Sequence, residues 1–233
     1  MRQIKNQIRR ARRIFRAAAG RDLFLRAEAR CPKIRLGNER AEWCVSTEGL
    51  TEGSLVYSFG VGEDISFEME LIRRFGVEVH AFDPTPRSIR WMRAQQCPPG
   101  LFFHEYGIAE RDGSASFYPP ENAGHVSYSV LFARGAGSPP VEAPVRRLAT
   151  IMNLLGHDQI AVLKMDIEVA EYGVIRDVIA SRAPVCQLLV EFHHRWPEVG
   201  VGKTREAVRN LRHAGFKIFD VSPSGEEFGF VRV

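Results

Sequence analysis

The chain has 233 residues, 45% of them hydrophobic and 26% charged, which suits one large globular domain with a short extension. Its net charge of +4 is concentrated at one end: the first thirty residues hold ten Lys or Arg against two acids, and the nearly balanced remainder argues against a nucleic-acid-binding face. Low-complexity tracts, internal repeats, a secretory apolar core and any run of eighteen apolar residues are absent, and Cys31, Cys44, Cys97 and Cys186 form no C-x-x-C pair or metal-ligand spacing, as expected of reduced thiols in a cytoplasmic protein.

Residues 2–19 read as a basic amphipathic helix, with Ile4, Ile8, Ala11, Phe15 and Ala18 at steps of three or four and Gly20 as a stop. Residues 31–53 read as irregular, broken by Pro32, Gly37, Gly49 and Gly53, with Trp43 as the one large aromatic. A regular alternation then begins. Strands are predicted at 55–59, 77–82, 101–104, 160–165, 185–192, 216–221 and about 227–232, with an extra strand at 114–118 in a longer connection. Helices are predicted at about 64–75, 86–94, 147–155, 170–181 and 203–214. Strands alternating with helices imply a doubly wound, mainly parallel seven-stranded sheet. The last two strands are separated by Pro223-Ser224-Gly225, too short for a helical crossover, so they must form an antiparallel hairpin at or near an edge. The expected organisation is a basic helix and lid-like segment over 1–53, followed by an α/β domain over 54–233.

The strongest local signal is Phe59-Gly60-Val61-Gly62-Glu63-Asp64 at the first strand-to-helix turn. Glycines there let backbone approach a ligand at the carboxyl edge of the sheet. The third glycine of a dinucleotide fingerprint is replaced by Ile65, and Glu63 and Asp64 place negative charge where a pyrophosphate would sit. A sulfonium cation with an amino-acid tail would not be repelled. Asp83, 21 residues beyond Gly62, ends the second strand in Phe82-Asp83-Pro84-Thr85-Pro86, where an acid can accept hydrogen bonds from both hydroxyls of a ribose. On this reading Asp83 serves a ligand rather than the core, leaving helix capping to Thr85 or Ser88. After the third strand, Tyr106-Gly107-Ile108 offers a flat apolar floor for an adenine ring.

Lys164-Met165-Asp166-Ile167-Glu168-Val169-Ala170-Glu171 puts Asp166 at the tip of the fourth strand, where it could orient or deprotonate a substrate hydroxyl. Glu168 and Glu171 are placed to complement the dipole of the following helix. At the end of the fifth strand, Glu191 and His193 would face one way and Phe192 the other, making His193 a candidate general base. His193 and His194, as neighbours on a strand, should point apart, so no metal is expected.

Together these segments, with Glu191-Phe192-His193, resemble the FkbM-type methyltransferases from about Trp43 to the C-terminus, and the sheet with its C-terminal hairpin is similar to that of class I methyltransferases. The resemblance implies transfer of a methyl group from S-adenosylmethionine to a hydroxyl on a sugar or a polyketide-like small molecule. It implies cofactor contacts at Gly60, Gly62, Asp83 and the Tyr106–Ile108 turn, to which the turn chemistry adds Phe59, Glu63, Asp64 and Asp166. Catalysis would fall to Asp166, Glu191 and His193. One departure is Val169, where the family usually has glycine, and it leaves an inactive relative open. A nicotinamide-dependent oxidoreductase would need the missing third glycine, and in the short-chain class a Tyr four residues before a Lys, which no tyrosine here has. A methyltransferase acting on amino groups or nucleic acid commonly carries an Asn/Asp-Pro-Pro-aromatic turn where Asp166-Ile167-Glu168 stands. For the N-terminal helix two partners compete. It packs on its own domain or a partner subunit as a lid, the expected arrangement since 31–53 with Trp43 needs something to close against, or it makes peripheral contact with an anionic membrane. Oligomeric state stays open.

Overall fold

Strand segments rich in valine, leucine and phenylalanine, apolar on both faces, bury themselves in a parallel sheet, and the order of elements follows. The computed structural model describes residues 2–39, 41–118 and 139–233. Along the chain these are α1 (Arg2–Ala18), β1 (Lys33–Leu36), β2 (Trp43–Ser46), β3 (Leu55–Phe59), α2 (Ser66–Phe75), β4 (Glu78–Phe82), α3 (Pro86–Arg93), β5 (Leu101–His104), β6 (Gly107–Ile108), β7 (Gly113–Phe117), β8 (Val141–Arg146), α4 (Leu148–Leu155), β9 (Ile160–Met165), α5 (Glu171–Ala180), β10 (Val185–Glu191), α6 (Gly200–His213), β11 (Phe216–Val221) and β12 (Glu227–Arg232).

Seven of the described strands form one sheet in the order β11-β12-β10-β9-β3-β4-β5. β10, β9, β3, β4 and β5 pair in parallel, and β12 runs antiparallel between β10 and β11. This is the doubly wound α/β sheet with a C-terminal hairpin that the sequence implies. Side chains alternate between two cores. Tyr57, Phe59, Leu163, Met165, Leu188 and Val190 face α4, α5 and α6, while Val56, Val79, Val162 and Leu189 face α2 and the β1–β2 pair.

Two parts differ from the sequence reading. Residues 31–53 are not irregular throughout: β1 and β2 pair antiparallel and cover the second core with Leu36, Trp43 and Val45. All four residues of β2 are buried, so no polar–apolar alternation marks it as a strand. Gln187 of β10 joins it to the main sheet, donating from Nε2 to the Ser46 carbonyl (3.0 Å) and accepting from the Ser46 amide at Oε1 (3.0 Å). The second difference is β8, which pairs with β6 and β7 in a small separate sheet. Only Ala143 and Val145 of β8 point into its small core, and Pro144 hides the pattern.

The turn from β9 into α5 explains the departure at Val169. Glu168 and Val169 have φ of 46° and 83°, in the left-handed region that glycine occupies freely and a β-branched residue does not. Val169 is also buried in the first core. Val169→Gly should therefore cost no more than about 1 kcal/mol, because relief of ~1–3 kcal/mol of backbone strain offsets the lost burial. Val174→Gly, at a buried site inside α5, should cost about 3 kcal/mol or more. Urea denaturation of the two variants checks this, and equal losses would show that residue 169 carries no strain.

Candidate functional site

β3 leads on to β4 at one side of the sheet and β9 leads on to β10 at the other, so the carboxyl ends of these adjacent strands open a crevice. At its base the Asp166 amide donates to the Phe59 carbonyl (3.1 Å) and the Gly60 amide donates to the Phe82 carbonyl (3.0 Å). Gly60 has φ 77°, and a Cβ placed on it would lie 1.7 Å from the Asp166 carbonyl oxygen. Only glycine lets these two turns touch. Above them is a cavity of ≈ 470 Å³.

Ten of the residues singled out in the sequence line this cavity: Phe59, Gly60, Gly62, Glu63, Asp64, Asp83, Gly107, Ile108, Asp166 and Glu191. Tyr106 and His193 stand behind the wall. Tyr106 packs against the Phe82 ring at 5.4 Å, with the Arg146 guanidinium 5.3 Å from its own ring centroid. His193 is buried with Nε2 3.9 Å from Asp166 Oδ1. Trp43, Phe82, Pro84, Thr85, Arg87, Phe117, Lys164, Ile167, Glu168 and Glu227 also line the cavity and were not assigned to it from sequence.

On one side, Asp83 is buried and serves the fold as well as the cavity. Its Oδ2 accepts from the Gly62 amide (3.0 Å), and its Oδ1 accepts from the Thr85 amide (2.9 Å) and hydroxyl (2.7 Å). Burial pushes its pKa up, against the opposing pull of the hydrogen bonds from Thr85 and Gly62. The capping role reserved for Thr85 is not filled by its side chain, whose hydroxyl donates to Asp83 and accepts from the Ser88 hydroxyl instead. Two neighbouring acids are likewise engaged. Arg87 forks onto Glu63 (2.8 and 2.9 Å), holding that carboxylate below its usual range. Asp64 accepts from the Ser66 amide (2.9 Å) at the start of α2 and from the Asn38 side chain (2.5 Å). The negative charge expected at this turn is thus partly answered by Arg87.

On the other side, charges converge from α2, β9, α5, β10 and β12. Lys164 is buried with Nζ 3.8 Å from Glu68 Oε1 and 5.2 Å from the centroid of the Trp43 ring, and the same Glu68 oxygen accepts from the Ser58 hydroxyl (2.5 Å). The lysine of the motif is therefore half of an internal ion pair, with Trp43 stacked against it. Asp166, Glu191 and His193 each offer a donor atom within 4.8 Å of the others. The nearby Asp166 charge, with burial and Glu227, raises the Glu191 pKa well above the ordinary carboxylate value. Burial alone would lower His193. The hydrogen bond to Glu171 and the charges of Glu171, Glu168 and Asp166 overturn that and raise it to about 10. A group held protonated in this way does not fit the neutral imidazole expected of a general base. Glu171 does more than complement the α5 dipole: its Oε1 accepts from the His193 amide (3.1 Å) and lies 3.2 Å from Nδ1. Glu168 Oε2 lies 3.2 Å from His193 Nε2. His194 turns the opposite way, to Asp22 Oδ1 at 2.9 Å.

Two clusters among the described residues could chelate a cation. One is the Asp166–Glu191–His193 group, which His193 already occupies with its own charge. The other is Glu78, His80 and His157, away from the cavity.

Because Asp83 anchors two backbone donors, Asp83→Ala should destabilise the protein by about 1–3 kcal/mol for each donor left without a partner. Chemical denaturation in the absence of any ligand measures this, and unchanged stability would show that Asp83 serves a ligand alone.

The Methyltransferase FkbM domain profile matches residues 58–218. Among curated proteins, the Rattus norvegicus "Probable methyltransferase-like protein 24" is 30% identical over 180 residues, covering 72% of this chain and 43% of that protein. The Homo sapiens protein of the same name is 29% identical over 175 residues, covering 70% and 41%. The chain thus spans less than half the length of these relatives. Among solved structures it is similar to a Methanococcus jannaschii fibrillarin pre-rRNA processing protein (12% identity, TM-score 0.48, covering 80% of this chain and 70% of that one). It is also similar to Aeropyrum pernix fibrillarin in complex with natively bound S-adenosyl-L-methionine (10% identity, TM-score 0.42, covering 91% and 85%). The domain profile covers more than half of the chain, and the protein belongs to the FkbM methyltransferase domain family.

Proposed function

We propose that this protein transfers a methyl group from S-adenosylmethionine to a hydroxyl of a sugar or natural-product-like acceptor. The observation that carries this reading is the Asp166–Glu191 carboxylate pair at the mouth of the crevice, facing the same cavity as the glycine turn and Asp83. A cavity of ≈ 470 Å³ is of the size that ordinary cofactor sites have. Asp83 would hold the ribose, with Gly107 and Ile108 against the adenine and Gly60 and Gly62 along the amino-acid tail. Glu63 and Asp64 would favour the ammonium group there. When bound, S-adenosylmethionine supplies an electrophilic methyl group on a sulfonium.

The protein's own part is to hold the acceptor oxygen in line and remove its proton. As the oxygen–carbon bond forms and the carbon–sulfur bond breaks, the hydroxyl proton passes to the carboxylate pair and S-adenosylhomocysteine leaves. The repulsion between Asp166 and Glu191 makes their second deprotonation difficult, and so makes the doubly ionised pair a stronger base than a lone carboxylate. His193, held as a cation behind them, positions Asp166 and Glu168 and keeps the acid cluster from flying apart.

Glu191→Gln should lower kcat by about 10²–10⁴-fold with cofactor affinity unchanged. The sign of the pH effect follows from the raised Glu191 pKa: the native acid limb of activity lies above the ordinary carboxylate range, and it should move to lower pH once Asp166 is left alone. Methylation assays across pH, with the product's new bond identified by mass spectrometry and NMR, check both. An unmoved acid limb would remove the pair from the chemistry, and a methyl group found on nitrogen would overturn the hydroxyl assignment.

A further inference from the structure

The N-terminal helix is attached to the domain by the side opposite to the one its sequence suggests. Among its described side chains only Arg13 is buried. Arg13 donates from Nε to the Leu23 carbonyl (2.9 Å), and its other nitrogens reach the Leu25 and Ser222 carbonyls. It lies flat against Gly225, where a Cβ would come within 2.3 Å of Nε. At about 100° per residue Arg13 is roughly 180° round the helix from Ile4. The apolar stripe therefore faces outward, with Ile4 61%, Ile8 49%, Ile14 49% and Phe15 79% exposed. No described residue of α1 lines the first cavity, and Trp43 closes on Lys164 instead, so α1 is not a lid over that cavity.

Such a stripe needs a cover, and charge indicates which. α1 carries seven Lys or Arg and no acid. A second copy of the helix would meet it with repulsion, and a neutral apolar partner would leave the arginines unanswered. Arg10 and Arg12, one residue to either side of Ala11, lie on the two flanks of the helix, each exposed at the edge of a groove against the domain, and have no ion-pair partner among the described residues. We propose that α1 is an interfacial helix that seats the protein on an anionic phospholipid surface. Ile4, Ile8, Ile14 and Phe15 enter the acyl boundary, and Arg10 and Arg12 meet headgroup phosphates. No described helix is long and apolar enough to cross a membrane, so this contact is peripheral. Beneath α1 a second cavity of ≈ 570 Å³ shares Glu42 and Glu227 with the first. It gives a hydroxyl-bearing acceptor held at the membrane a route to Asp166 and Glu191, a consequence that rests on the methyl-transfer reading.

The test is flotation of the full chain with phosphatidylglycerol–phosphatidylcholine vesicles and with phosphatidylcholine alone, with S-adenosylmethionine binding measured on every variant. The expected result is binding to the anionic vesicles only. Ile8→Glu/Phe15→Glu should abolish it, and Arg10→Glu/Arg12→Glu should cut it by about tenfold or more, with cofactor binding unchanged in both. If the vesicles retain Ile8→Glu/Phe15→Glu, contact is electrostatic adsorption and the interfacial helix is wrong. If the native protein ignores the vesicles and forms a dimer that Phe15→Glu dissolves, the stripe is an interface between copies, and the proposal fails. Failure of cofactor binding in the native chain would strike the methyl-transfer reading alone, leaving the vesicle result to stand or fall by itself.

Discussion

The backbone contact between Gly60 and Asp166 is the constraint on which the rest of this site depends. Adjacent parallel strands that lead to opposite sides of the sheet leave their carboxyl ends without a covering connection, and the two turns beyond them must then pass closely. A Cβ at residue 60 would sit 1.7 Å from the Asp166 carbonyl oxygen, so the contact exists only because residue 60 has no side chain. Through it the glycine turn, which offers backbone to a ligand, and the strand tip carrying Asp166 share one cavity. Asp83 secures the same turn from the next strand by accepting from the Gly62 amide.

Around that contact the protein buries several charged groups and pairs them. Lys164 lies between Glu68 and the Trp43 ring, and His193 lies among Glu171, Glu168 and Asp166. A buried pair of this kind contributes little net stability, but removing one partner leaves an uncompensated buried charge. These groups therefore fix geometry. The Asp166–Glu191 pair is the exception, two acids set against each other at the cavity wall, and on the proposed methyl-transfer reading the repulsion that would be a defect in a core would strengthen a proton acceptor.

Much of this was legible in the sequence. Strand and helix spacing gave the sheet, its final hairpin and the two turns, because long apolar runs bounded by glycine and proline leave little choice of element. Gly60, Gly62, Asp83, Asp166 and Glu191 announced themselves by standing at strand tips. What stayed hidden depends on partners distant in the chain. β2 is buried on every side and so lacks a period. Glu68 reads as an ordinary helix residue until Lys164 is placed beside it. His193 looks like a base until three carboxylates surround it. The N-terminal helix shows its stripe plainly, but only the buried Arg13 reveals which face is turned to the domain. Val169 could be flagged against the family pattern, yet the reason, a left-handed backbone, is a property of the folded turn.

The central claim is that the turns after β3, β4, β5 and β9 form one cofactor site. Hydrogen–deuterium exchange with and without S-adenosylhomocysteine tests it most directly, since the product analogue needs no acceptor. The account expects saturable binding with slowed exchange gathered at residues 60–64, 83–87, 107–108 and 166–168, and little change at the α6 end of the sheet. Binding that protects a different region, or none at all with the fold intact, would contradict it.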